Sequence, residues 1–403
     1  MIASTDRHPA RRPGLVHFAL AVGGFAIGTA EFAPMSLLPE FAAGLGIDEP
    51  TAGHVISAYA LGVVVGAPLL AVFGARLSRR TLLILLMALF AIGNVLSAIA
   101  PSYGWMLAFR FLAGLPHGAY FGIAALVAAS LVPADKRTEA SARVLLGLSV
   151  ATIAGVPLAN WLGHAVGWRW AFALAAVLAM ITVAMVATLA PRDAADPKAS
   201  PLRELNALRR RQVWLTLGVG AIGFGGMFAV YAYLASTMLA VTGVGAVEIQ
   251  IALAVFGAGM VAGNVFVPRF ADRALMPTAA ALLVWSAVVL ALYAFAAGHL
   301  WLLLIDIFLI GIGGALGPVL QVRLMDVAGD AQALAAALNH SAFNFANALG
   351  PLLAGSAIAA GLGFESTGLV GAGLALGGLA VLGVAAATSR RAVVPAAVQP
   401  VCA

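Results

Sequence analysis

The sequence predicts an all-α membrane protein, with twelve transmembrane helices in two pseudo-symmetric six-helix bundles and both termini cytoplasmic. Three observations predict it. Of the 403 residues, 63% are hydrophobic and only 9% are charged, with a mean hydropathy of +1.03, whereas a soluble domain carries about 25% charged residues. The apolar residues fall into windows long enough to cross a bilayer, which takes about 20 residues of helix. The windows on either side of one polar break also repeat each other.

The first six windows cover 15–38, 50–74, 81–100, 103–132, 140–165 and 169–191. The break "PRDAADPKASPLRELNALRRRQ" follows, and windows resume at 213–240, 246–268, 276–298, 300–322, 332–361 and 366–388. This divides the chain into an N-terminal bundle over 1–191, a cytoplasmic linker over 192–211, and a C-terminal bundle with a short tail over 212–403. The N-terminal "MIASTDRHPARRPG" is short and basic and runs into the first window without a small-residue cleavage site, so a retained helix is expected, not a removed signal peptide. The single cysteine, Cys402, cannot form an internal disulfide, and no spaced set of metal ligands is evident.

The net charge of +6 raises the question of nucleic acid. The positions of the basic residues point to topology instead. Arg7, Arg11, Arg12, Arg76, Arg79, Arg80, Lys136, Arg137 and Arg143 fall on one face of the predicted bundle. Arg192, Lys198, Arg203, Arg209, Arg210 and Arg211 join them, as do Arg269, Arg273, Arg323, Arg390 and Arg391, leaving only Arg110 and Arg169 elsewhere. Lys and Arg collect on the cytoplasmic side of membrane proteins, which sets the orientation.

The repeat is legible in several places. "GVVVG" at Gly62–Gly66 aligns with "GMVAG" at Gly259–Gly263, and at the same offset Ala75-Arg76 falls on Asp272-Arg273. "WMLAFRFLAGLPHGA" from Trp105 aligns with "WLLLIDIFLIGIGGA" from Trp301, setting Arg110 opposite Asp306 and His117 opposite Gly313. Parallel halves related by an axis along the membrane normal are a known transporter plan, with the substrate site near the midplane between them.

Several polar residues interrupt the windows. Glu31 lies about 16 residues past the cytoplasmic start of the first span, roughly 24 Å at 1.5 Å per residue. A carboxylate at that depth faces a cavity or a partner. It can be charged in one state and neutral in another, as a proton-driven exchanger needs; a structural pairing or an outer-interface position is the alternative. Arg110 needs acceptors, and its neighbours Phe109 and Phe111 direct it inward, either to pin the bundle or to hold the coupling charge. His117 shares a helix face with Arg110 two turns on, within the small-residue stretch "GLPHGAYFG", and either relays protons and bonds substrate or is a satisfied buried histidine. Tyr120 supplies an aromatic wall or packing.

Asp306 is shallower than Glu31, suited to an interfacial, Arg-paired or coupling role. In "ALNHSAFNFANALGP", His340, Asn344 and Asn347 fall on one helix face, as inter-helix glue or as a cavity lining. Tyr231 adds an aromatic from the seventh span. The turns "GARLSRR" and "RFADRA" place Arg76, Arg80, Asp272 and Arg273 at helix ends. There Asp272 can pair with a neighbouring Arg while one face is closed, a conformational latch, or form only a weak surface ion pair.

Together these stretches resemble the major facilitator superfamily over essentially the whole chain. "RFLAGLPHGA" resembles its span-4 motif through Arg110 and Gly114, and "GLSVATIAGVPLANWLG" resembles the span-5 motif of proton-coupled exporters through Gly147, Gly155 and Pro157. "GAPLLAVFGARLSRR" resembles the loop motif between spans 2 and 3, except that Ala75 stands where an Asp is expected, while Asp272 keeps the match in the second half. "GTAEFAPMSLLPEFAAGLGI", "SAYALGVVVGAPLL", "GLPHGAYFG" and "ALNHSAFNFANALG" are similar to the twelve-span drug/proton antiporter group, near arabinose-efflux-permease-like, nucleoside-efflux and chloramphenicol-efflux members.

That resemblance implies a multi-pass inner-membrane exporter of a small organic molecule, coupled to protons and working by alternating access. Glu31, Arg110 and Asp306 are the expected coupling residues. Glu31, His117, Tyr120, Tyr231, His340, Asn344 and Asn347 are the expected substrate contacts, and Arg76, Arg80, Gly147, Gly155, Pro157, Asp272 and Arg273 the gating residues. The expected partners are a small-molecule substrate, protons and lipid, with no nucleic acid, no cofactor and a monomeric state. No span carries a phosphate-cradling Gly-Lys-Ser/Thr loop, so ATP is not expected to drive it. A proton-coupled importer of a sugar or related metabolite is the alternative. An enzyme would need a nucleophile–base pair or a metal set in the spans, and a sensor an output domain that the short linker cannot be.

Overall fold

A computed structural model of the chain describes residues 13–192 and 200–391; the expectations placed on Arg7, Arg11, Arg12, Lys198 and Cys402 lie outside the described residues. Twelve helices have the length and apolar composition to cross a membrane. They are α1 (Pro13–Met35), α2 (His54–Arg76), α3 (Arg79–Ala98), α4 (Tyr103–Ser130), α5 (Ala134–Val166) and α6 (Arg169–Leu189), then α7 (Arg211–Thr242), α8 (Val247–Arg273), α9 (Leu275–Ala296), α10 (Leu300–Ala328), α11 (Gln332–Ala359) and α12 (Ser366–Ser389). No strand occurs among the described residues, as expected of chains that must satisfy every backbone group internally in lipid.

Each helix falls on a predicted window. The largest differences are at the arginine-rich ends: α5 starts at Ala134 and α10 continues to Ala328, beyond the windows at 140 and 322. Lys136, Arg137 and Glu139, like Arg323 and Asp326, sit on these added turns; hydropathy drops there while the helical backbone continues. The first window ends differently, because Pro34 lies inside α1 and the chain restarts as a short helix, Leu38–Leu45, closed by Gly46 at φ 66°. That left-handed turn is accessible to glycine at little cost.

The sequence repeat is a repeat of helix contacts. On α2, a side chain at Gly62 or Gly66 would collide with the backbone of Phe111 or Leu115 on α4; on α8, Gly259 and Gly263 meet Phe308 and Ile312 of α10 in the same way. Gly114 and Gly311 reciprocate from the facing helices. Small residues that let backbones touch are a main source of helix association in lipid, where burial of apolar surface offers no drive. The span-5 glycines have a similar place: Gly147 abuts the Ala21 carbonyl of α1, and Gly155 abuts Thr29 Oγ1.

One buried apolar cluster lies mainly in the first half, joined by Val322, Met325 and Ala336 of the second, and another lies in the second half. The halves meet where α11 packs on α2 and α4, and where α5 packs on α8 and α10. Several bonds crossing this seam lie at the arginine-rich end: Arg137 pairs with Asp326 at 2.8 Å, and Asp272 accepts from the Thr138 and Glu139 backbone N–H groups at 2.7 and 3.1 Å. Nearer the middle, Asn264 Nδ2 donates to Ser149 Oγ at 3.0 Å. π-Helical turns interrupt α5 at Ala151–Gly155 and α7 at Val219–Gly223 and Met238–Thr242. Such turns mark strained or functional points in helices, and the first ends two residues before Pro157.

Candidate functional site

Between the halves lies a cavity lined by residues of both. The N-terminal half contributes Glu31 from α1, His117 from α4 and Ser149 from α5. The C-terminal half contributes an aromatic and methionine wall, Phe224, Met227, Phe228, Tyr231, Phe256 and Met260, with His340, Phe343, Asn344 and Asn347 from α11. An apolar pocket with few, convergent polar groups is the usual form of a small-molecule site.

Glu31 is 9% exposed at the cavity edge. One layer behind it, Arg110 is 0% exposed and close enough for its charge to act on Glu31. Arg110 Nη2 donates to the Ala30 carbonyl at 3.0 Å, which ties it to the residue preceding the acid. Its guanidinium carbon stands 4.4 Å from the Tyr59 ring centre and 5.2 Å from that of Phe172. Nε and Nη1 have no hydrogen-bond partner. A buried cation so placed depends on aromatic faces and on the nearby carboxylate to offset lost hydration.

Tyr59 Oη shares a hydrogen bond with His117 Nδ1 at 3.0 Å, so one tyrosine touches both Arg110 and His117 of α4. The His117 ring centre lies 5.2 Å from that of His340, and His340 stacks on Phe121 at 4.4 Å with a 12° interplanar angle. Three groups lining the cavity retain unused capacity: His340 Nε2, Asn344 Oδ1 and Asn264 Oδ1 are buried without partners, while Asn344 Nδ2 donates to the His340 carbonyl at 3.0 Å.

The structure thus brings Glu31, His117, Tyr231, His340, Asn344 and Asn347 around one cavity, with Arg110 directly behind. Two expected residues stand apart. Tyr120 is fully buried and donates to the Leu20 carbonyl at 2.8 Å, joining α4 to α1 and not lining the cavity, because its hydroxyl finds an acceptor within its own half. Asp306 is 5% exposed, away from the cavity, within electrostatic reach of Tyr293. No arginine pairs with it among the described residues, and its Oδ2 has no partner; the Arg-paired position expected from the sequence is not found.

The turns also differ from expectation in detail. Asp272 takes backbone N–H groups at the start of α5, not an arginine, since a helix N-terminus offers unpaired donors and a favourable dipole. Arg80 donates to the Ala187 carbonyl of α6, while Arg76 and Arg273 are exposed. Sequence reasoning missed Tyr59, although it lies three residues before Gly62 and shares its face toward α4. It also missed the Asn264–Ser149 bond and, apart from Tyr231, the aromatic wall, which period and hydropathy do not separate from lipid-facing residues.

The Major Facilitator Superfamily model matches residues 20–279 and 217–398. The chain is 40% identical over 355 residues to the inner membrane transport protein YdhP of Escherichia coli K12, covering 88% of this chain and 91% of that one. It is 35% identical over 351 residues to a chloramphenicol resistance protein of Streptomyces lividans, covering 85% and 88%. In fold it is similar to the human organic anion transporter MFSD10, with a TM-score of 0.73 at 17% identity over 93% of this chain and 100% of that one. With twelve membrane-crossing helices, a matching fold and these relatives, the chain is a multi-pass membrane transporter, not an enzyme, and belongs to the Major Facilitator Superfamily.

Proposed function

We propose that this transporter exports a small organic molecule across the inner membrane in exchange for protons, by alternating access. The observation that carries the reading is Glu31, the acid on the wall of a cavity shared by both halves, backed by the buried cation Arg110. Protonation from outside neutralises Glu31, loosens its hold on Arg110 and on any cationic or hydrogen-bonding cargo, and so favours release outward. Deprotonation on the cytoplasmic side restores the charge and readmits cargo. Asp306, buried in the other half, is a second proton-accepting position. The inner-membrane setting and the efflux direction are drawn from the relatives' names and from the span-5 pattern of Gly147, Gly155 and Pro157.

The bodies that move are residues 1–191 and 212–403, joined by the linker 192–211, with both termini in the cytoplasm. Gly147, Gly155 and Pro157 keep α5 closely seated on α1 as the halves rock. Asp272, with Arg76, Arg80 and Arg273 around the turns, governs the closed cytoplasmic face. The cargo is an amphiphile of drug, nucleoside or sugar-like size: its apolar part lies on Phe224, Phe228, Tyr231, Phe256 and the methionines, and its polar groups meet Glu31, His117, His340, Asn344 and Asn347.

The test is a substrate screen in an efflux-deficient host, followed by transport in proteoliposomes with an imposed pH gradient, for the wild type and for Glu31→Gln. Glu31→Gln should lose proton-driven accumulation while keeping substrate counterflow without a gradient. Full gradient-driven export by Glu31→Gln at every pH would refute the coupling assignment, and uptake in the direction of proton entry would refute export.

A further inference from the structure

The repeat makes a demand that this chain meets in an unexpected way. In the second half, Asp272 in the turn after α8 caps the first turn of α5 in the first half, accepting from Thr138 and Glu139 N–H. The repeat relates α8 to α2 and α5 to α11, so the equivalent acid would stand in the turn after α2 and cap α11. That position is Ala75, which has nothing to offer an N–H group.

The first turn of α11 is nevertheless capped. Glu204 Oε2 accepts from the Leu334 backbone N–H at 2.9 Å, and Leu334 stands at the repeat position of Arg137, beside Thr138. Glu204 belongs to the linker. Its short helix, Pro201–Leu205, is started by Ser200, whose hydroxyl accepts from Arg203 N–H, and it packs on the end of α2, on the Gly74–Arg76 turn and on α11. Ala75 and Glu204 line the same cytoplasmic cavity. Arg203 and Arg210 of the linker also reach Asp330, in the turn before α11, at 3.3 and 3.2 Å.

We infer that Glu204 supplies from the linker the carboxylate that the turn after α2 lacks at Ala75, capping α11 and holding the cytoplasmic side closed. The linker is thereby a latch as well as a tether. An acid on a helix N-terminus is favourable through the unpaired N–H groups and the dipole. It holds only while α11 lies against the α2 end, so the contact favours the closed arrangement over the open one. Both caps on the seam then come from outside the helix they cap, Asp272 from one side and Glu204 from the other.

The inference rests on the alternating-access reading, but its test needs neither substrate nor proton gradient. Spin labels on Ser130→Cys and Ala274→Cys, two exposed positions on opposite halves at the cytoplasmic end, report the opening as a distance distribution in a Cys402→Ser background. Glu204→Ala should raise the open-to-closed ratio by about three- to tenfold, the range of one cap. Adding Ala75→Asp should restore the closed distribution, since the new acid stands where the repeat requires it. A purely structural role for Glu204 predicts no such rescue. If Glu204→Ala alone does not fold, Ala75→Asp/Glu204→Ala is compared with Ala75→Asp: equal distributions support the latch and unequal ones overturn it. An unchanged distribution in folded Glu204→Ala, or no rescue by Ala75→Asp, also overturns it and leaves the export reading standing on its own test.

Discussion

Tyr59 and His117 share a buried hydrogen bond of 3.0 Å, and the face of the same tyrosine carries Arg110 at 4.4 Å. Three residues from two helices thus form one unit behind Glu31. Tyr59→Phe keeps the ring under the cation and removes only the bond to His117, so a loss of about 1–3 kcal/mol is expected. Arg110→Ala removes the cation beside a buried acid, with an expected loss of about 3–5 kcal/mol. Arg110→Lys should fall between, because an ammonium cannot stack flat on the ring. Thermal unfolding in detergent ranks the three; an Arg110→Ala protein as stable as Tyr59→Phe would contradict the arrangement.

Close helix contact should be equally sensitive in one place and insensitive in another. A side chain at Gly66 meets the Leu115 backbone, which cannot move aside, whereas one at Gly373 on α12 has nothing within 4 Å. Gly66→Val should therefore cost several kcal/mol or prevent recovery of monodisperse protein, since overpacking alone costs about 1–3 kcal/mol and here the obstacle is backbone. Gly373→Ala should stabilise slightly, by up to about 1 kcal/mol, through helix propensity. Size-exclusion melting curves of the two variants check the contrast.

The α5–α8 seam can be locked. A Cβ at Gly257 would sit in contact with Thr152 and Ile153 across the halves, close enough for a bridge between Thr152→Cys and Gly257→Cys to form with ordinary geometry. In a Cys402→Ser background, oxidation should stop transport and reduction should restore it. Transport that continues after complete cross-linking would show that this seam does not open in the cycle.

Acid should strengthen the linker contact. Burial pushes the Glu204 carboxyl above the usual carboxylate range, against the opposing effects of the Leu334 N–H and Arg203, with Asp330 adding to the rise. When the linker leaves α11 the carboxyl returns to water and to its ordinary value. Between the ordinary and raised values the closed form binds more protons than the open one, so lowering pH through that window favours closure. Arg79 and Asp330 face the same cavity, and comparison with Glu204→Gln isolates the Glu204 contribution. The wild type should close further on acidification, by a margin that Glu204→Gln lacks, as read from the Ser130–Ala274 label distance.

The twelve helices and their order were legible because each had to present about 20 apolar residues to lipid, and the repeat was legible because its glycines cannot be replaced without parting two backbones. Glu31, His117, His340, Asn344 and Asn347 stood out as polar groups in apolar runs and do share one cavity. Tyr120 stood out for the same reason and is a packing residue, since one hydroxyl is satisfied by one nearby carbonyl. Asp272 was recognised at the right turn with the wrong partner, because backbone donors have no letter in a sequence. Glu204 was invisible: its meaning depends on Ala75, more than a hundred residues away, and on a cap that only the folded chain reveals.

The cavity is chemically lopsided. Its acid and buried cation belong to the first half, while the second half supplies most of the rings and the flexible methionines that adapt to different shapes. Duplication copied the scaffold without copying the charges. Substitutions along α7 and α8 can therefore reshape the wall that meets a cargo and leave Glu31 and Arg110 on α1 and α4 in place, so that a lineage of such transporters can exchange one cargo for another without rebuilding the charged side of its cavity.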